Sequence, residues 1–219
     1  MKRREFTRHL TGLAGGAALS GLFPDASPAA TRTTPDGRFV DVHTHITQEW
    51  WDRPALSAGA LVQWMDENRV ARAVVLPLEN PESWAYPVST HYVLEETAPY
   101  RDRLVPFCSI DPRTINLDDR QARVDQLRRY VDAGARGFGE HKTGMPIDDP
   151  RNREIFAACA EVGLPVLFHM DDYRNTDAPG LPGLENVLRE FPEIPFIGHA
   201  QGWWASISGD ASEEQFQSY

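Results

Sequence analysis

Six short apolar runs recur about every 30 residues along this chain, with helical patterns between them. The runs are 39–43, 72–78, 104–110, 135–140, 164–170 and 194–199. Each is rich in Val, Ile, Leu or Phe with little polar alternation, the pattern of strands buried on both faces of a parallel sheet. Helices are expected at 57–69, 88–100, 118–133, 151–162 and 181–191. Asp118 and Asp119 place acidic side chains at a helix start, and Gly134 and Gly163 stand where helices stop. The result is an α/β chain of five strand–helix units and a sixth strand. A doubly wound open sheet normally carries a glycine-rich phosphate loop after its first strand. Here that position holds His43-Thr44-His45, which favours a (β/α) barrel.

Active residues of such barrels sit at the C-terminal ends of the strands, and these strands end in metal-ligand types. Alternate residues of a strand share a face, so His43 and His45 project together. The fourth run ends in Gly139-Glu140-His141-Lys142, the fifth in His169 and the sixth in His199. Divalent ions accept imidazole nitrogen and carboxylate oxygen. Water bound to such an ion loses a proton near neutral pH and attacks a carbonyl or phosphoryl centre. His43, His45 and His169 supply three ligands. His199 is a further ligand or a neutral group that polarises a substrate oxygen. Glu140 binds one ion, bridges two, or simply pairs with Lys142. Lys142 reaches a substrate carboxylate, or the metal itself if carbamylated. His141 points away from its strand neighbours and His91 lies inside a helix, so neither is placed in the site. Asp171 orients a ligand histidine, contacts substrate or caps the next helix. Trp203 and Trp204, beside His199, line a substrate pocket or pack on the barrel top.

The first thirty residues differ from the rest. Lys2-Arg3-Arg4-Glu5-Phe6 precedes an apolar stretch from Leu10 to Phe23 and the small-residue run Ala26-Ser27-Pro28-Ala29-Ala30. This reads as a signal peptide over residues 1–30, too short and glycine-rich for a membrane span. His9 belongs to it. The arginine pair resembles a twin-arginine signal, which exports folded proteins to the periplasm; a Sec signal or an uncleaved anchor is the alternative. Residues 31–38 form a polar linker. The leader carries four basic and two acidic side chains, so its removal takes the formal charge from -10 to -12. An acidic body without a basic stripe argues against nucleic acid as a partner. The expected partner is a small-molecule substrate, with no stable membrane span after cleavage and homo-oligomerisation left open. Cys108 and Cys159 are expected as buried free thiols, a single disulfide being the alternative in an exported protein.

His43-x-His45, His169 and His199 at these strand ends resemble the amidohydrolase superfamily. The closer resemblance is to the amidohydrolase-related group of aminocarboxymuconate-semialdehyde decarboxylase-like and lactonase-like enzymes, over residues 39 to 204. It implies a (β/α)8 TIM barrel with one or two divalent ions, usually zinc. The activity implied is hydrolysis of an ester, lactone or amide; the alternative is a lyase, a non-oxidative decarboxylase in which Lys142 or an arginine grips a carboxylate. The family's first-strand histidines map to His43 and His45, its fifth-strand histidine to His169 and its sixth to His199. Glu140 matches the glutamate that replaces a bridging carbamylated lysine in some binuclear members. The family also has a metal-binding, proton-shuttling aspartate after strand eight. This sequence stops at Tyr219, after strand six, and Asp210 follows the wrong strand to replace it. The barrel domain, 39–219, is therefore expected to hold strands 1–6 and lack 7–8, as a piece of a longer reading frame or a truncation completed by a partner chain. A catalytically inactive metal-binding barrel is the third reading.

Overall fold

Apolar runs without polar alternation need cover on both faces; the computed structural model gives it to the fourth and fifth runs and leaves Phe39, Val40 and Val42 of the first exposed. It describes residues 37, 39–49, 51–83, 86–114 and 119–207. The expected signal peptide, residues 31–36 and 38 of the linker, and Asp210 lie outside these residues. Strands β1 (Phe39–Thr44), β2 (Val70–Val75) and β3 (Leu104–Pro106) form one parallel sheet. Strands β4 (Phe138–His141), β5 (Val166–His169) and β6 (Phe196–His199) form a second. Backbone bonds join the two: Arg136 N donates to Pro106 O at 2.9 Å, Cys108 N to Gly137 O at 2.9 Å and Gly139 N to Cys108 O at 2.8 Å. Six parallel strands thus neighbour one another in chain order, as consecutive strands of a (β/α) barrel do.

The helices are α1 (Ala58–Glu67), α2 (Thr90–Thr97), α3 (Arg120–Asp132), α4 (Pro150–Val162), α5 (Pro182–Glu190) and α6 (Gln201–Ser206). Side chains of Ser57, Ser89, Asp119 and Asp149 cap the first four by accepting a backbone N–H of the first turn. The helix expected through residue 100 leaves α geometry at 98, where a 3-10 turn takes over; Pro99 has no N–H to continue the ladder. The third strand, expected through 110, stops at 106 because residues 107 and 108 divide their bonds. Phe107 N donates back to Val75 O, and Cys108 turns to the fourth strand. Among the described residues, no helix is long and apolar enough to cross a membrane.

Alternation along the strands separates two apolar layers. Leu76, Phe107 and Leu167 face inward with Val74, Val105 and Ile197. Phe138, Val166 and Phe168 face outward onto Ile155, Phe156 and Cys159 of α4 and Val124 and Leu127 of α3. Cys108 and Cys159 are free thiols in that outer layer, and burial pushes both well above the ordinary cysteine range. His91 is exposed on α2, its ring 5.5 Å from that of Tyr130.

Candidate metal centre

Period-two geometry carries His43 and His45 to the inner face at the end of β1. Pairing does the same for β5 and β6, where His169 and His199 stand directly opposite one another. Glu140 arrives from β4 behind Gly139, whose φ is +138°. A Cβ at Gly139 would lie 2.3 Å from Leu167 O, so only glycine lets β4 approach β5 closely enough here. The Thr44 hydroxyl donates to Val74 O at 2.7 Å and fixes the end of β1.

Glu140 is 1% exposed and is the hub of the cluster. Its Oε1 lies 2.6 Å from His169 Nδ1, 3.6 Å from His43 Nε2 and 4.0 Å from His199 Nε2. Its Oε2 lies 3.1 Å from Lys142 Nζ and 3.4 Å from His45 Nε2. The rings of His43 and His199 stack at 3.7 Å. Among the described residues, two groups of three could hold a metal ion, His43–His45–Glu140 and Glu140–His169–His199, with Glu140 common to both. Burial pushes the Glu140 carboxyl upward, but the facing imidazoles of His169, His43 and His45 and the Lys142 charge outweigh it and hold it far below the usual range. Burial and the neighbouring His43 push His199 down to about 4, so it is neutral at pH 7.

Second contacts decide where the imidazole protons sit. His45 Nδ1 donates to Leu76 O at 2.9 Å, which leaves the Nε2 lone pair facing Glu140. His169 stands between two carboxylates, with Asp171 Oδ2 3.0 Å from Nε2 and Glu140 Oε1 2.6 Å from Nδ1. A neutral imidazole has one proton for these two contacts. His43 Nε2 and Glu140 Oε2 are buried without a hydrogen-bond partner; the short contacts of Glu140 Oε2 are close without being aligned. Buried polar atoms left so need an explanation, and a cation among them is one.

The other residues singled out from the sequence fall as follows. Lys142 joins the cluster through Glu140. His141 faces away into the protein, fully buried, and donates from Nε2 to Asn152 Oδ1 at 2.9 Å. Asp171, expected among the substrate contacts, has both oxygens occupied. Oδ1 accepts the backbone N–H groups of Tyr173 and Arg174 at 2.9 and 2.6 Å, and Oδ2 takes the Arg174 guanidinium and His169. Its contacts orient His169 and close a turn. Trp203 departs from the pocket-lining expectation too. It covers Gly198, where a Cβ would meet its ring at 2.5 Å, and sits edge-on to Phe168. Those strand positions alternate with His199 and His169, so Trp203 packs on the opposite face. The cause is that α6 begins two residues after His199 and Ala200, at φ +79°, turns the chain at once toward the helical layer. Trp204 is half exposed.

Sequence reasoning missed the polar frame around the cluster. Asn80 Oδ1 accepts Lys142 N at 2.9 Å, and Asn80 Nδ2 donates to Asp111 Oδ2 at 2.9 Å. Arg113 bridges Asp111 and Glu82. Arg174 was legible only as the i+3 partner of Asp171. Beside this frame, at the C-terminal ends of β1–β3, lies a cavity of about 500 Å³ lined by Thr47, Gln48, Glu79, Ser89, Asp111 and Thr114 among others. Burial pushes the Glu79 carboxyl up against the bond it accepts from Thr90.

A family model described as amidohydrolase matches residues 40–218. No curated protein matches the chain. Among solved structures, a putative 2-pyrone-4,6-dicarboxylic acid hydrolase from Pseudomonas putida is 14% identical, with 73% of this chain and 55% of that one covered at a TM-score of 0.51. An uncharacterized TIM-barrel protein from Bordetella bronchiseptica is 21% identical, with 68% and 53% covered at 0.50. A 2,6-dihydroxybenzoate decarboxylase from Rhizobium is 16% identical, with 74% and 66% covered at 0.45. The chain spans about half the length of the first two, and their likeness shows the TIM-barrel type of fold.

Proposed function

The chain belongs to the amidohydrolase family, and from that premise we propose that it is a metal-dependent hydrolase directing an activated water at an ester, lactone or amide. The observation that carries the reading is the shared Glu140 carboxylate, buried between two pairs of histidines with its own Oε2 and the facing His43 Nε2 left without a hydrogen-bond partner. The donor set fits a divalent ion. His43 and His45 with Glu140 would hold one, and His169 and His199 with the same carboxylate would hold a second. Imidazole nitrogen and carboxylate oxygen suit zinc. An ion bound there supplies Lewis acidity and lowers the pKa of water.

The chain's own groups have separable tasks. Leu76 O and Asp171 fix the ring orientations of His45 and His169, as outer partners of metal ligands do. Lys142 offsets the Glu140 charge and offers its ammonium to an electron-rich substrate oxygen. Neutral His199 keeps one ring-nitrogen lone pair for an ion or a proton. The neighbouring cavity gives room for the rest of a small substrate. Export through the twin-arginine route, expected from Arg3-Arg4, is part of the same proposal, with loss of export in the R3K/R4K double variant as its check.

The test is metal analysis of the purified full chain beside a panel of esters, lactones and amides. The reading expects about one or two divalent ions per chain, and turnover abolished by chelation and restored by zinc. A chain without bound metal after zinc loading would refute it. Carbon dioxide release from aromatic or enoic acids, with no hydrolysis, would replace it by decarboxylation.

A further inference from the structure

We propose that Asn175 is a positioning residue for the metal centre, a side-chain clamp that sets the separation of Glu140 and His169. The inference rests on the metal-site reading and deepens it. At their last paired residues, His141 and His169, β4 and β5 have carbonyls that need donors. The Asn175 carboxamide supplies both: Nδ2 donates to His141 O at 2.7 Å and to His169 O at 2.9 Å. These two carbonyls belong to the residue after Glu140 and to His169 itself. One planar NH2 group therefore ties together the two strand ends whose side chains meet at 2.6 Å.

The rest of the side chain is as fully determined. Oδ1 accepts from the Thr143 hydroxyl at 2.7 Å and from Asn152 Nδ2 at 3.3 Å. Backbone N of Asn175 donates to Thr143 O at 2.7 Å. Two carbonyls at one end and two donors at the other allow only one amide orientation, since the flipped amide would set oxygen against oxygen. Asn175 is wholly buried and sits at φ +43°, a conformation asparagine tolerates better than most residues. A polar side chain this enclosed holds the two strand ends at its amide nitrogen and is itself held by Thr143 and Asn152 at its oxygen.

The test uses the full chain with Zn²⁺ as probe, titrated against a chromogenic chelator, and Co²⁺ absorption as a readout of ligand geometry. Asn175→Asp keeps the shape and the Oδ1 acceptor but removes both donors. Thr143→Val, milder, removes the hydroxyl that orients the carboxamide. Leu184→Ala, a core truncation in α5 that breaks none of these bonds, controls for lost stability. The proposal expects Asn175→Asp to weaken Zn²⁺ about 10- to 100-fold and alter the Co²⁺ spectrum. Thr143→Val should shift both the same way by less, and Leu184→Ala should change neither. Should Asn175→Asp yield no folded protein, Thr143→Val decides alone. Wild-type Zn²⁺ affinity and Co²⁺ spectrum in the clamp variants, or equal weakening in Leu184→Ala, would overturn the clamp while leaving the metal site standing. Absence of Zn²⁺ binding by the wild-type chain would overturn both.

Discussion

His141 gives the most direct quantitative check on this packing. It is fully buried, bonded through Nε2 to Asn152, and flanked by the rings of Phe138 and Phe156 at 5.6 and 5.4 Å. Burial pushes its pKa from 6.5 down to about 4. In the unfolded chain the imidazole takes up a proton as the pH falls through 6.5, whereas in the folded protein it stays neutral until about 4. Across that window acid favours the unfolded state. Above 6.5 both states are neutral and the effect vanishes; below 4 it is complete. At 1.36 kcal/mol per tenfold change in proton affinity, the loss attributable to His141 is about 3 kcal/mol. That is a large share of the roughly 5–15 kcal/mol that holds a domain folded. His141→Gln retains a donor for Asn152 and cannot titrate. Urea unfolding of chelator-treated protein at pH 7 and pH 4 is the assay. The wild type should lose about 3 kcal/mol more than His141→Gln between these conditions, other acid-sensitive groups being common to both. Equal losses would mean that water reaches the imidazole and that the side chain is not enclosed.

Three further outcomes follow from named contacts. Glu140→Gln should weaken Zn²⁺ at both histidine groups together, at least tenfold, whereas His45→Gln should affect the group it belongs to; calorimetric titration separates the two results. Gly139→Ala forces a Cβ toward Leu167 O at positive φ, and should cost about 2–4 kcal/mol in urea unfolding. Asp177 caps α5 from outside the helix, Oδ1 and Oδ2 accepting Gly183 N and Leu184 N at 3.1 and 2.8 Å. Asp177→Ala should therefore lower stability by about 1 kcal/mol, a shift of a few degrees in melting temperature.

What the sequence discloses here depends on whether the cause is local. Strands rich in β-branched and aromatic residues announce themselves as apolar runs, so β1, β5 and β6 lie close to where hydropathy puts them, although only β5 is buried on both faces and Phe39, Val40 and Val42 of β1 stand exposed. The shared face of His43 and His45 follows from strand period alone. The facing of Trp203 does not, because it turns on a single residue, Ala200, leaving the strand at positive φ. Asn175 reads in sequence as an ordinary loop asparagine; its partners, His141, Thr143 and Asn152, come from another strand–helix unit. Asp177 stands outside the usual capping position of α5, where Leu181 occupies the N-cap without a side-chain bond. The spatial cluster around Glu140 is likewise a product of strand order, which only the fold supplies.

The two free thiols offer an internal clock. Cys108 and Cys159 lie in the same sealed layer between sheet and helices, with burial disfavouring the reactive thiolate at both. A thiol reagent can then reach them only during openings that separate α3 and α4 from β4 and β5. Labelling kinetics on the native chain would report how often that layer breathes, residue by residue and without any introduced dye. Run with and without zinc, the same measurement would show whether an ion held at the strand ends tightens the far side of the sheet.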